Sequence, residues 1–172
     1  MYAGYRDRTM RDADTVCRSP LKRQESMPTI ETTVKEVPSA ASETLRSMES
    51  AWNAAALHWD VDGLTALYSD DATMFAGRPG MATGTQGVRE YFASYIGMLS
   101  STQLELGEQA ITELGPDAFL AQGYGYFRFT LTSGKPSAAT LRTTWLLVRR
   151  SGRWMIAHHH FSATPEVPPV PQ

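Results

Sequence analysis

From about Ser39 the apolar positions recur at helical steps. Leu45, Met48, Trp52, Ala55 and Trp59 lie three or four residues apart and form one stripe, with Glu43, Arg46, Glu49, Ser50 and Asn53 opposite. Ser39, after Pro38, predicts the N-cap. Asp60 then ends this helix and caps a short second one over "VDGLTALYSD", in which Val61, Leu64, Leu67 and Tyr68 share a face. "ATMFA" predicts a short strand. "GRPGMATGTQG" predicts a loop; it lacks the spacing of a phosphate-binding loop and the Lys-Ser or Lys-Thr that would follow one. Thr85 predicts the cap of a third helix, with Val88, Tyr91, Phe92, Tyr95, Ile96 and Leu99 as its buried stripe.

From Gln103 the period falls to two. Strands are predicted over Gln103–Glu113, Ala118–Leu131, Ala138–Arg150 and Arg153–Ala163, separated by "LGPD", "TSGKP" and "RSGR". Connections this short make an antiparallel meander. The expected class is α+β: three N-terminal helices packed in a curved antiparallel sheet, over residues 39–165. Residues 1–38 have neither period and are rich in charge, Ser, Thr and Pro, which predicts a flexible extension. Residues 166–172 predict a solvated Pro-rich tail.

Alternation sorts the strands into two faces. Gly123, Gly125, Phe127, Phe129, Leu131, Trp145, Leu147, Met155, Ala157, His159 and Phe161 point one way. Tyr124, Tyr126, Leu146, Val148, Trp154, Ile156, His158 and His160 point the other. Both faces are apolar, so both need cover. The helices take the first. A second copy of the chain is the expected cover for the other, giving a homodimer through Tyr124, Tyr126, Leu146, Val148, Ile156, His158 and His160. A single bulge would exchange the faces beyond it. On the helix side, small residues (Gly123, Gly125, Ala157) oppose Trp52, Trp59, Tyr91 and Tyr95. Large groups around a small floor predict an apolar pocket for a small hydrophobic molecule; the alternative is that the aromatics fill the space.

Composition narrows the picture. The 172 residues suit one domain, and 4 Trp, 7 Tyr and 6 Phe can build its core. A net charge of −2 offers no basic field for nucleic acid. One cysteine, Cys17, excludes a disulfide framework and a Cys-based zinc site. No stretch is apolar enough for a membrane span, and the N-terminus lacks the apolar core of a secretory leader, so a cytoplasmic protein is expected.

"HHH" at 158–160 is the most suggestive chemical feature. Neighbours on a strand face opposite ways, so the three cannot bind one metal, and no third ligand accompanies His158 and His160. No metal and no cofactor are expected. His159 faces the helices, where it is either a general base or a core histidine bonded to a phenol such as that of Tyr91 or Tyr95. Asp71, after the second helix, is the one carboxylate placed to act as a base near the mouth.

"RTTWLLVRRSGRWMIAHHHFSATP" and "AWNAAALHWDVDGLTALYSDDATMF" resemble the C-terminal hairpin and the first helices of the nuclear-transport-factor-2-like superfamily. Within it they are most similar to the SnoaL-like SgcJ/EcaC group and to the calcium/calmodulin-dependent kinase II association domain. The resemblance implies a cone-shaped fold with a ligand cavity and dimerisation through the outer sheet. It also implies either cofactor-independent isomerase, cyclase or dehydratase chemistry or a non-catalytic binding or association module. The arginines in the kinase domain's cavity match Gly125, Trp145 and Phe161 here, which favours a flat hydrophobic ligand over an anion. The expected lining is Trp52, Trp59, Tyr68, Met74, Tyr91, Tyr95, Gly125, Phe127, Trp145, His159 and Phe161. His159 or Asp71 would be the base, with Tyr91 or Tyr95 donating to an oxyanion.

Overall fold

Ser39 caps the first helix: its hydroxyl accepts from the Ser42 N–H at 3.2 Å, and α1 runs over Ala40–Ala56. The structure, a computed structural model, describes residues 39–166 and 170. The expectations for residues 1–38, and for most of the tail, lie outside that range. α1 buries Ala41, Leu45, Met48, Trp52 and Ala56. Asp60 accepts from the Gly63 N–H at 3.0 Å and starts α2, Val61–Thr65.

α2 is shorter than its pattern predicts, because Tyr68 already opens strand β1 (Tyr68–Phe75) opposite Ile156. Here strand pairing overrides a local helical period. β2 (Ala82–Thr83) leads into α3 (Gly84–Ala93). Thr83 occupies the N-cap without a side-chain bond, whereas the hydroxyl of Thr85, the expected cap, donates to Asp70 Oδ1 at 3.3 Å. α3 stops at Ala93, so Ile96 is exposed and Leu99 begins the next strand.

The meander follows as β3 (Leu99–Gly115), β4 (Ala118–Leu131), β5 (Pro136–Arg150) and β6 (Arg153–Ala163). The six strands are ordered β2-β1-β6-β5-β4-β3. β1 runs parallel to β6, so the sheet is mixed rather than wholly antiparallel, and β1 and β2 separate α2 from α3. The class is α+β. A bulge at Glu108 (φ +52°) bends the long strand β3.

Another bulge, in β6, changes a face. Leu146 lies opposite His158, but Leu147 lies opposite Ile156, which leaves Ala157 as the extra residue. Ile156 therefore turns to the helix side, fully buried in the core, and cannot belong to the outer face where strict alternation puts it. Trp154 moves with it and packs on Phe119. Trp145, Leu147 and His159 are buried on the helix side as alternation predicts.

β3 is an edge strand, and α1 seals it. Asn53 Nδ2 donates to the Leu104 carbonyl and Asn53 Oδ1 accepts from the Leu104 N–H, both at 2.7 Å. Glu49 Oε1 accepts from the Leu106 N–H at 2.8 Å. Polar residues on α1 thus replace the missing neighbour strand. Their grip fixes the helix over the concave face.

Candidate functional site

Between α1, α3 and strands β3 to β6 lies a hollow of about 270 Å3. Trp52 and Trp59 line it from the first helix and the turn after it, and Tyr91, Phe92 and Tyr95 from α3 and its end. The sheet contributes Leu99, Thr102, Phe127, Phe129, Leu131, Ser137, Leu141 and Phe161. None of the lining side chains is charged.

The position of the hollow differs from the expected one. A side chain at Gly125 would meet Thr143, Phe127 and Leu104 at 3.0 Å or less, and one at Gly123 would meet Gln109 and the bulged backbone of β3. The space over the glycines is therefore filled by neighbours. The open volume lies farther along β4, between Phe127 and Leu131.

Backbone and side chains set the wall together. Trp59 sits in the left-handed region (φ +50°), a conformation that costs a non-glycine residue roughly 1 kcal/mol or more. Its indole N–H donates to the Phe92 carbonyl at 3.0 Å, and its ring meets Phe92 and Tyr95 edge-on. The strained turn thus places an indole in the wall. At the rim the Gly77 N–H donates to the Tyr91 hydroxyl at 3.2 Å. A Cβ at Gly77 would approach the Tyr95 hydroxyl to 2.8 Å, so both phenols converge on this glycine. Burial pushes the Tyr91 phenol well up, so it stays protonated at neutral pH. Arg78 lies outside, over the Tyr95 ring at 4.3 Å, and its guanidinium donates to the Ser94 carbonyl at 2.9 Å.

The expected site residues divide. Trp52, Trp59, Tyr91, Tyr95, Phe127 and Phe161 line the hollow. Tyr68, Met74, Gly125, Trp145 and His159 do not; they pack beneath it or beside it in the core. His159 is fully buried, and its Nδ1 is 2.6 Å from the Tyr68 hydroxyl. Its phenol partner is thus Tyr68 rather than Tyr91 or Tyr95. Burial, and then the adjacent His158 and His160, hold His159 well below its ordinary value, so the ring is neutral. Burial also pushes the Tyr68 phenol far up. The Trp52 indole N–H, close to that phenol but outside hydrogen-bond geometry, offsets only part of the rise.

Asp71 is exposed, 3.9 Å from Arg150, and is not part of the lining. Its carboxyl is held below the usual range, first by the nearby Ser69 hydroxyl, although that hydroxyl is outside full bonding geometry, and then by its own backbone N–H. An exposed, acidified carboxylate is a poor base. His158 bonds Thr73 at 2.8 Å on the outer face. Among the described residues no cluster of His, Cys, Asp or Glu could hold a metal, and no helix is long and apolar enough to cross a membrane.

Alternation could have found Phe129 and Leu131, and the third stripe already contains Phe92 and Leu99. Leu141 shares the alternation of Trp145 and Leu147 in β5, whereas Thr102 and Ser137 lie just outside the expected strands and had no local signal. Thr102 lies opposite Phe129, and Phe129 opposite Ser137, and only strand pairing brings them into one row.

Residues 45–166 match the SnoaL-like domain family. The chain belongs to the SnoaL-like family. No curated protein matches it. Among solved structures, this SnoaL-like chain is similar to a Xanthomonas campestris protein assigned as a calcium/calmodulin-dependent protein kinase II association domain. That likeness has 24% identity and TM-score 0.69, over 76% of this chain and 91% of the other. A nuclear transport factor 2-like superfamily protein from Salmonella enterica serovar Typhimurium is 18% identical with TM-score 0.62, over 76% and 97%. A type 2 hexachlorocyclohexane dehydrochlorinase is 15% identical with TM-score 0.59, over 77% and 94%. At these identities the likeness concerns the fold.

Proposed function

We propose that this SnoaL-like protein binds a small, neutral, ring-containing molecule in the aromatic hollow, without proton chemistry of its own. The observation that carries this reading is the lining: aromatic and aliphatic walls, four hydroxyl-bearing side chains and no charge. Those hydroxyls, on Tyr91, Tyr95, Thr102 and Ser137, can orient a ligand but do not take up protons at neutral pH. A cavity of about 150 Å3 accommodates benzene, so a volume of about 270 Å3 suits two fused rings. A neutral ring is also what the name of the hexachlorocyclohexane dehydrochlorinase implies for that relative. Isomerase, cyclase or dehydratase chemistry would need a base at the lining, and His159 and Asp71 lie away from it.

Calorimetric titration with 2-naphthol tests the reading. Its 11 heavy atoms at about 0.6 kcal/mol each give a Kd in the tens of micromolar. Ser137 is exposed at the mouth on β5, so Ser137→Trp should plug the hollow with little loss of stability and abolish the heat. 2-Naphthoate should bind at least tenfold more weakly than 2-naphthol, since nothing in the wall offsets its charge. Equal binding by wild type and Ser137→Trp would refute the site.

A twofold contact through the outer face belongs to the same proposal. Tyr124, Tyr126 and Leu146 are half-buried there and Phe75 is exposed beside His160, although Ile156 has left that face. A monomer at micromolar concentration in sedimentation equilibrium would remove this part.

A further inference from the structure

The first residues of β5 leave a free sheet edge beside the mouth of the hollow. β4 pairs with β5 from Pro136 onward. Among the described residues, β6 pairs with β5 no farther than Leu141 opposite Ala163. Pro136–Thr140 therefore has a neighbour strand on one side only. Ser137 stands on this stretch, exposed and lining the hollow, and Phe161 lines it from the last turn of β6 pairing. Arg142 Nη2 donates to the Ala163 carbonyl at 3.1 Å, which holds the end of β6 against β5. The chain leaves the sheet at this point, next to the mouth.

The segment that follows reads TPEVPPVPQ, Thr164–Gln172. Pro165, Pro168 and Pro171 recur at every third residue, the period of polyproline II, which puts Val167 and Val170 on a common side. Segments of this kind dock on grooves lined by aromatic rings. Tyr95, Phe129 and Phe161 supply such rings here. Val170 is 72% exposed, an apolar side chain left in water. The one charge of the segment, Glu166, is also exposed.

We propose that Thr164–Gln172 is a strap that closes the mouth of the hollow and competes with whatever binds there. Continuing the β5–β6 register by two and four residues sets Pro165 opposite Ala139 and Val167 opposite Ser137. Side chains two apart share a face, so Val167 falls with Phe161 on the hollow side and Glu166 falls on the other. Prolines are tolerated there because the segment is an edge. Four residues span about 13 Å, enough to carry the chain from Ala163 to Ser137. With Val170 exposed, the structure shows the strap undocked. Docking covers Val167 and Val170 with the aromatic rim.

The strap occupies the hollow of the binding reading above, so 2-naphthol reports on it in the full chain. A tail held at an effective concentration of about 1 mM, with an intrinsic Kd of about 0.25 mM, weakens a competitor about fivefold. Val167→Asp/Val170→Asp should therefore bind 2-naphthol about fivefold more tightly than the wild type. A peptide of residues 163–172, added to that variant at about 1 mM, should restore the weaker binding, and a peptide with the same two substitutions should not. Equal affinity of the wild type and the variant overturns the strap while leaving the hollow as a binding site. A difference that grows with protein concentration assigns the tail to a second copy and also overturns it. If 2-naphthol binds neither chain, the binding reading fails by itself, and calorimetric titration of the peptide into the variant decides the strap. Heat that Ser137→Trp abolishes supports it, and no heat overturns it.

Discussion

Asn53→Ala removes the clamp that joins α1 to the free edge of β3. In the native chain this one side chain makes two 2.7 Å hydrogen bonds, to both the N–H and the carbonyl of Leu104. Each net bond contributes about 1 kcal/mol, and a part-buried backbone group left without a partner adds to the loss, so the expected cost is about 2–3 kcal/mol. At about 4 °C per kcal/mol for a domain of this size, the thermal midpoint should fall by roughly 8–12 °C. Urea unfolding followed by far-ultraviolet circular dichroism gives the free energy directly. Asn53→Asp sharpens the test. Its carboxylate still accepts from the Leu104 N–H but faces the Leu104 carbonyl, and both that contact and burial raise its folded-state pKa. A raised acid destabilises above that pKa and ceases to do so below it, where the protonated group can donate to the carbonyl. The gap between Asn53→Asp and wild type should therefore narrow from pH 7 to pH 4. A cost below about 0.5 kcal/mol for Asn53→Ala, or a gap for Asn53→Asp that widens on acidification, would show that α1 does not seal the edge.

Glu49 is held above its ordinary value of 4.5 mainly by burial, which the Leu106 N–H partly opposes and Glu105 reinforces. Its contribution is greatest at low pH and is lost as pH rises through the raised value. Glu49→Gln keeps the acceptor, so it should match or exceed wild-type stability at pH 7 and lose any advantage near pH 4. His159 has the opposite sign: its folded-state value is depressed, so stability is full above 6.5 and declines as pH falls below it. The slope is at most about 1.4 kcal/mol per pH unit. Unfolding titrations between pH 7 and pH 5 should show a shallower decline for His159→Gln, and identical slopes would mean that the ring already takes up a proton in the folded state.

How much of this was legible in the residues differs by element. Ser39 and Asp60 announce their caps, and the stripe Leu45, Met48, Trp52 announces its buried face, because both signals act within a few residues. The four-strand meander is equally local: turn chemistry and a period of two define it. The alternation in β4 and β5 also places Phe127, Phe129, Trp145 and Leu147 on the helix side. The family resemblance added the arrangement of layers.

Tertiary structure decided everything that depends on which strand meets which. The bulge at Ala157 has no local signature, yet it moves Ile156 and Trp154 across the sheet. Pairing with β6 turns Tyr68 from a helix residue into a strand residue and brings its phenol to His159. Neighbouring side chains and the bulged backbone of β3, rather than the absence of a Cβ, determined whether the glycine floor stayed open. The row Thr102, Phe129, Ser137 joins residues 27 and 8 positions apart along the chain (129 − 102 and 137 − 129). Periodicity is a property of one segment and fixes the face a side chain takes. Register is a property of two segments, and it is register that sets where a hollow lies and which side chains line it.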